Sequence, residues 1–388
     1  MSVEVEMLGE GQAVTVTGAA QRQAWRDRVL PPVEKVRPGV WSVPTPFPDS
    51  PLRYVLAYLL ESPRGPVLID TGWPSDQAWD GLVTGVRETG HEISDVAAVL
   101  VTHFHADHFG LAHKVRESSG AWIGMHEEDV RALSRFTSAA DFAAVEGAWL
   151  ARRGMPAEEA DGMLPSPPAK SSRPAPPEVM IEDGTCPLGD DTPLRAIWTP
   201  GHTPGHLCFA DERYNLMLTG DHVLPRITPN ISPSPVATDD TLGIFLQSLS
   251  EMARFDPDEV LPAHEYRFSG LKARVRQLRE HHRARLREIL EVVAGAGGCT
   301  TFDVAERLSW SRPWDQNRGF VRRSAIGETY AHLVYLERRG MIANDGADSA
   351  AAADGRGATD HWRLLGPVAA VTDLIAGCGR AAGPVSRM

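Results

Sequence analysis

The stretch Thr102-His103-Phe104-His105-Ala106-Asp107-His108-Phe109-Gly110 constrains this chain more than any other, because three histidines and an aspartate fall within six residues. Directly before it runs Val96-Ala97-Ala98-Val99-Leu100-Val101, which has no polar side chain and reads as a buried strand. Ligand-type side chains therefore sit on the loop leaving a strand end, where α/β proteins place their chemistry. Imidazole and carboxylate at H-x-H-x-D-H spacing suit a divalent transition metal such as zinc. Such a loop needs further ligands from elsewhere in the chain.

Read in order, the chain supplies them. Residues 22–30 suggest a short helix, and strands are expected at 39–44, 54–61 and 66–72. The third ends in Leu-Ile-Asp-Thr-Gly, which leaves Asp70 at a strand terminus as a cap, a turn residue or an acceptor for a metal-bound histidine. A helix over 76–89 precedes the histidine loop; a helix over 111–119 and a strand over 121–126 come after it. Residues 127–165 read as amphipathic helix, and 165–177, with six prolines, as an exposed linker or lid flank.

Strands resume at 179–181 and 193–198, the latter running into T-P-G-H-T-P-G-H at 199–206. A strand pair at 207–210 and 215–219 ends in Gly220-Asp221-His222; a helix over 241–254 leads to a strand at 259–261 and Pro262-Ala263-His264-Glu265. This is an α/β alternation in which His202, Asp221 and His264 also sit at strand ends. The donors divide into two sets. His103, His105 and His202 would hold one metal; Asp107, His108 and His264 would hold a second, with Asp221 bridging.

The texture changes near residue 266. Helical patterns at 271–293, 300–308 and 325–337 precede apolar pairs at 341–342 and 362–365, which bracket a Gly/Ala/Asp-rich segment. Three helices and a hairpin describe a winged-helix arrangement. His281 and His282 lie among Arg274, Arg276, Arg279, Arg283, Arg285 and Arg287, either a solvated helix face or a phosphate-facing patch.

A length of 388 residues suggests two domains, or one large domain with an appendage. A net charge of −12 argues against a generally nucleic-acid-binding surface. Cys186, Cys208, Cys299 and Cys378 lie far apart without a C-x-x-C pair, so separate reduced thiols are expected. With no apolar run of about 18 residues, and an acidic start lacking a signal pattern, the expected compartment is the cytoplasm.

H-x-H-x-D-H at 103–108, T-P-G-H-T at 199–203, G-D-H at 220–222 and P-A-H at 262–264, with Asp70 ahead of them, resemble the metallo-β-lactamase fold in its glyoxalase-II-like branch. The resemblance covers about residues 36–270, leaving 1–35 as an N-terminal extension and about 127–178 as an insertion. It implies an αββα sandwich with two Zn2+ at one edge, Fe or Mn being the alternatives, held by the seven residues named. Residues 271–388 look like the helical, winged-helix-like extension of one subgroup, and Gly327-Glu328-Thr329-Tyr330-Ala331-His332-Leu333 carries that likeness. The subgroup includes a mitochondrial endoribonuclease and thioesterases of polyketide assembly. The expected activity is attack of a zinc-bridging hydroxide on an ester-like bond, above all an acyl thioester, with Asp107 accepting the proton. The partner is then a small-molecule or carrier-bound acyl substrate, and a homodimer is open. The alternative is a phosphodiesterase or endoribonuclease on single-stranded RNA, with His206 or His222 protonating the leaving group.

Overall fold

The computed structural model describes residues 5–6, 14–134, 139–159, 176–189, 191–233, 240–346 and 359–366. The chain forms two compact units, one of Met1–Phe136, Pro168–Pro229 and Ile244–Gln277, the other of Thr137–Pro167, Asn230–Gly243 and Leu278–Met388. Most of the Pro-rich stretch, the hairpin tip at 347–358 and Cys378 lie outside the described residues.

The first unit holds two seven-stranded sheets. In one, the spatial order is Glu34–Arg37, Val40–Pro46, Tyr54–Ser62, Gly65–Ile69, Ala98–Leu100, Trp122–Met125 and Val179–Met180. Its first four strands pair antiparallel, and parallel pairing takes over from Gly65–Ile69 onward. In the other, Val5–Glu6, Val14–Val16, Phe268–Ser269, Glu259–Pro262, Leu216–Gly220, Leu207–Asp211 and Leu194–Trp198 lie in that order.

Residue parity explains why the central strands read as unbroken apolar runs. Leu56, Tyr58, Leu60, Val67, Ile69 and Leu100 pack between the sheets against Leu194, Phe209, Leu218 and Leu261. The intervening Leu59, Leu68 and Val99 face the other way, onto Leu82 and Val86 of helix Asp76–Glu88 and Val115 of helix Ala112–Ser119. Both faces are covered, so no polar alternation is needed. Layered burial of this kind brings the strand ends, with the loops that leave them, to one rim.

Two findings differ from the sequence expectation. Residues 14–27 do not stand outside a catalytic domain starting at 36. Val14–Val16 pairs with Phe268–Ser269, and in helix Ala19–Asp27 the buried Gln21 donates to Ser42 Oγ (2.9 Å) and accepts from Arg267 N (2.9 Å). A three-residue strand is too short to show a period. The second difference is that, of the described residues, 139–159 fall in the same compact unit as 278–346 and 359–366.

In the second unit, Trp149, Leu150 and Met155 pack on Phe302, Ala305 and Ile326, joining helices Ala139–Arg152, Thr301–Arg307 and Gly319–Glu337. Thr300 and Asp303 form a capping box at the start of the second of these. A hairpin of Ile342–Asn344 and Trp362–Leu364 comes next, with Trp362 fully buried and its Nε1 donating to Thr301 Oγ1 (2.9 Å). His282 is not on a solvated face: it is buried, with Nδ1 3.1 Å from His332 Nε2. No described helix is long and apolar enough to cross a membrane.

Candidate metal centre

Four strands of the sandwich deliver the donors. Ala98–Leu100 leads to His103, His105, Asp107 and His108; Leu194–Trp198 to His202; Leu216–Gly220 to Asp221; Glu259–Pro262 to His264. Each donor lies within eight residues of its strand end. The seven come together in three overlapping groups: His103 with His105 and His202 (the first group), Asp107 with His108 and His264 (the second group), and His103 with His108 and Asp221, which overlaps both.

In the first group, His103 Nε2 is 2.9 Å from His105 Nδ1 and 3.2 Å from His202 Nε2, and the last two are 3.0 Å apart. Three nitrogens about 2.0–2.1 Å from a common tetrahedral zinc would be spaced by about 3.3 Å. Thr102 Oγ1 donates to Asp70 Oδ2 (2.8 Å) and thus accepts from His103 Nδ1 (3.0 Å), which leaves His103 Nε2 unprotonated and facing its neighbours. Burial pushes His103 well below the usual imidazole range, and neighbouring imidazoles push it further. His105 is pushed down to about 3, by burial first and then by His202. Neutral imidazole is the form that ligates metal.

In the second group, Asp107, His108 and His264 place one ligand atom each within 4.8 Å of one another. Asp221 reaches both groups: Oδ2 is 3.6 Å from His108 Nε2 and 3.6 Å from His202 Nε2, and Oδ1 is 3.3 Å from His264 Nε2. His108 donates from Nδ1 to Asp70 Oδ2 (2.8 Å), and His264 from Nδ1 to Tyr54 O (3.1 Å). Each ring is thereby oriented with Nε2 toward the group. Burial opposes ionisation of Asp107 and Asp221, but His108 and His264 beside them hold both carboxyls below the ordinary range, Asp107 at about 2. Conversely, burial lowers His264 while Asp221 and Asp107 outweigh it and hold it at about 10.

The fit to divalent cations rests on three buried atoms. His108 Nε2, His264 Nε2 and Asp221 Oδ1 are buried without a well-aligned hydrogen bond among the described residues, held only in ion-pair contacts of 3.3–3.6 Å with one another and with neighbouring carboxylate oxygens. Buried polar atoms left unsatisfied are rare in a native fold and mark places where an unseen partner binds. These three converge with other nitrogen and oxygen donors, the chemistry that zinc and similar ions take.

Asp70 is the acceptor half of its sequence reading. It sits at φ 59° and accepts from Thr102 N (2.8 Å), Thr102 Oγ1 and His108 Nδ1. His206 orients the frame as well. Its Nδ1 lies 2.9 Å from Thr199 Oγ1, and its Nε2 accepts from Asp221 N (3.1 Å). Gly220 permits this at φ +48°, where a Cβ would lie 2.7 Å from His206 Nε2. His222 is buried with its ring edge-on to Phe245 (5.0 Å, 69°). His126 stacks on Trp198 (4.9 Å, 7°). Arg274, grouped by sequence with a possible phosphate patch, is buried and donates to Leu224 O (2.7 Å), Arg226 O (2.7 Å) and Ile227 O (2.8 Å).

Two residues escaped sequence reasoning. Asp129, in helix Glu127–Ser134, is buried and accepts from Phe104 N (3.0 Å), Thr203 Oγ1 (2.9 Å) and Gly205 N (2.6 Å). Burial pushes its carboxyl up to about 7, against those three bonds. It stands in an acidic first turn, Glu127-Glu128-Asp129, of a stretch that reads only as amphipathic helix. Glu265, at φ 68° beside His264, accepts from Arg226 Nε (3.0 Å) and N (3.2 Å), and its carbonyl accepts from Tyr54 OH (2.7 Å).

A model of the metallo-beta-lactamase superfamily matches residues 50–264. The lactamase-like protein adaB of Aspergillus niger is 26% identical over 268 residues, 67% of this chain and 66% of that protein, so the match spans just under two thirds of that relative. An atrochrysone carboxyl ACP thioesterase of Aspergillus chevalieri is 24% identical over 349 residues, 87% of this chain and 90% of that one. Among solved structures, a metallo-beta-lactamase family protein from Thermus thermophilus is similar with a TM-score of 0.69 and 26% identity, covering 85% of this chain and 100% of that one. A beta-lactamase domain protein from Burkholderia ambifaria gives 0.66 and 26%, covering 86% and 95%.

Proposed function

This chain belongs to the metallo-beta-lactamase superfamily, and from that premise we propose that it is a dinuclear metal-dependent hydrolase of acyl thioesters. The observation that carries the reading is the convergence of His108 Nε2, His264 Nε2 and Asp221 Oδ1, buried without well-aligned hydrogen bonds, with four further ligand-type side chains. His103, His105 and His202 would hold one zinc ion, Asp107, His108 and His264 a second, and Asp221 both. Bound there, the ions supply Lewis acidity that polarises a carbonyl and lowers the pKa of water toward neutrality.

The chain's own residues do the rest. In the second group Asp107 is the most open to solvent, with 13% of its side chain exposed against 0% for His108 and His264. Its carboxylate is the group placed to accept a proton from the attacking water. Asp70 and Tyr54 O hold the two imidazoles of that group in orientation. Both ring nitrogens of His206 are engaged, so this imidazole is not available to protonate a departing alkoxide. A thiol, with a pKa of about 8–9, departs as thiolate without that help. A phosphodiester reading would then need His222, whose buried ring lies edge-on to Phe245, as its acid, whereas the thioester reading needs none. The likeness to a thioesterase acting on an acyl carrier protein supports a carrier-bound substrate, and the net charge of −12 supports it over RNA. The three helices and hairpin of the second unit we take as winged-helix-like.

The test is metal analysis of the purified chain, followed by acyl thioesters of coenzyme A and of carrier protein, lactones and single-stranded RNA assayed on the same zinc-loaded sample. Thioester hydrolysis is expected, with loss of one metal per chain and of activity in His103→Ala. Cleavage of RNA alone, or a single iron per chain, refutes the proposal.

A further inference from the structure

The two loops that carry the first donor group leave different sheets: one comes after Ala98–Leu100, the other after Leu194–Trp198. A backbone hydrogen bond from Leu207 N, where strand Leu207–Asp211 begins at the end of the second loop, to Thr102 O (2.8 Å) ties them together. Asp129 comes from a third element and bonds to both. Its Oδ2 accepts from Phe104 N, which lies between His103 and His105, and from Thr203 Oγ1, next to His202. Its Oδ1 accepts from Gly205 N at 2.6 Å. A Cβ at Gly205 would fall 2.5 Å from Asp129 N, so a glycine is required for the loop to come this close. None of the three partners is itself a donor to the cluster.

We propose that Asp129 is a positioning residue, whose carboxylate fixes His103 and His105 relative to His202 and thereby sets the metal affinity of that group. The inference rests on the reading that the group binds a metal. All three groups facing Asp129 donate, and above its pKa of about 7 the ionised carboxylate makes these bonds charge-assisted, roughly twice as strong as neutral ones. An amide in its place would turn an NH2 against at least one of these donors. Outer partners that orient ligands change metal affinity without changing the ligand set.

The experiment compares the full chain as wild type, Asp129→Asn and Thr203→Val. Zinc affinities come from chelator competition, and cobalt(II) spectra separate a three-imidazole site from a mixed carboxylate–imidazole one. Hydrogen exchange on the metal-free proteins tracks residues 102–106 and 199–206. Wild type is expected to take up two ions. Asp129→Asn is expected to weaken the three-imidazole site by about 10–100-fold, leave the other little changed, and speed exchange at Phe104 and Gly205. Thr203→Val, which removes one donor and keeps the carboxylate, should act in the same sense but less. Unchanged affinity and exchange in Asp129→Asn overturn the inference, as does loss of both ions together with a collapsed metal-free melting temperature. If Asp129→Asn fails to fold, wild-type affinity at the three-imidazole site of Thr203→Val overturns it. A wild type that binds no ion refutes the proposed function and this inference with it. Two ions in wild type with unaltered variants refute the inference alone.

Discussion

Asp70→Asn separates orientation from coordination at the second donor group. Asparagine tolerates the left-handed backbone that Asp70 adopts at φ 59°, so the main chain is not disturbed. The amide has two ways to sit. With its NH2 at the Oδ1 position it opposes the Thr102 N–H, a donor that cannot turn away. With its NH2 at the Oδ2 position it faces Thr102 Oγ1, which can rotate and accept, and His108 Nδ1. The second arrangement wins, and it forces His108 into the tautomer protonated at Nε2. That proton must then be displaced before His108 can ligate. The penalty is about the worth of one hydrogen bond to a buried charge, roughly 1.5–3 kcal/mol. At 1.4 kcal/mol per decade, metal affinity at this group should fall by about 10–150-fold. Thr102 Oγ1, once rotated, no longer donates to residue 70 and its bond with His103 Nδ1 changes with it, so affinity at the first group should fall as well, though less. Chelator competition measures the affinity, and long-range 1H–15N spectra of the imidazoles read the His108 tautomer. Asp107, Asp221 and Asp70 already hold His108 well above the usual imidazole range in the metal-free wild type, so the informative readout is Nδ1, and wild-type affinity, or an Nδ1 that keeps its proton in the variant, refutes the reasoning.

Trp362→Ala removes a fully buried ring and its bond to Thr301, and should destabilise the second unit by about 3–5 kcal/mol, read as a lowered denaturant midpoint. Gly220→Ala places a Cβ 2.7 Å from His206 Nε2 at φ +48°; it should cost about 1–3 kcal/mol and displace Asp221, lowering metal content, and full metal content would refute this. Burial pushes the Cys208 thiol up to about 12 and the Cys299 thiol up to about 11. Both stay protonated at pH 8 in the folded chain, so peptide mass spectrometry after iodoacetamide should find them unmodified until denaturant is added. Between their unfolded and folded values the unfolded state has released protons that the folded state keeps, so these thiols make stability fall as pH rises from about 9 to about 12.

Legibility in the sequence depends on range. The seven donors lie on short local motifs at the ends of apolar strands, and both motif and strand are visible in a few residues. Strands of two to four residues, such as Phe268–Ser269 and Glu34–Arg37, are too short to display alternation and exist because neighbours pair with them. Helix Gly319–Glu337 starts six residues before its pattern does, because Phe320 and Val321 are exposed at 64% and 41% and break the apolar stripe. Arg274 and His282 looked solvated because their partners, the 224–227 carbonyls and His332, are about fifty residues away. Asp129 needed both loops in place before its role had any meaning.

The division of donors between the sheets has a mechanical consequence. Residues 34–125 carry four of the seven and residues 194–264 the other three, so neither half of the sandwich owns a complete set. Bound ions would act as rivets across the seam. The grip of such rivets grows with free metal, by about 4.1 kcal/mol at a thousandfold excess over the dissociation constant. Cohesion of the two halves is then adjustable from outside the chain, by the supply of an ion.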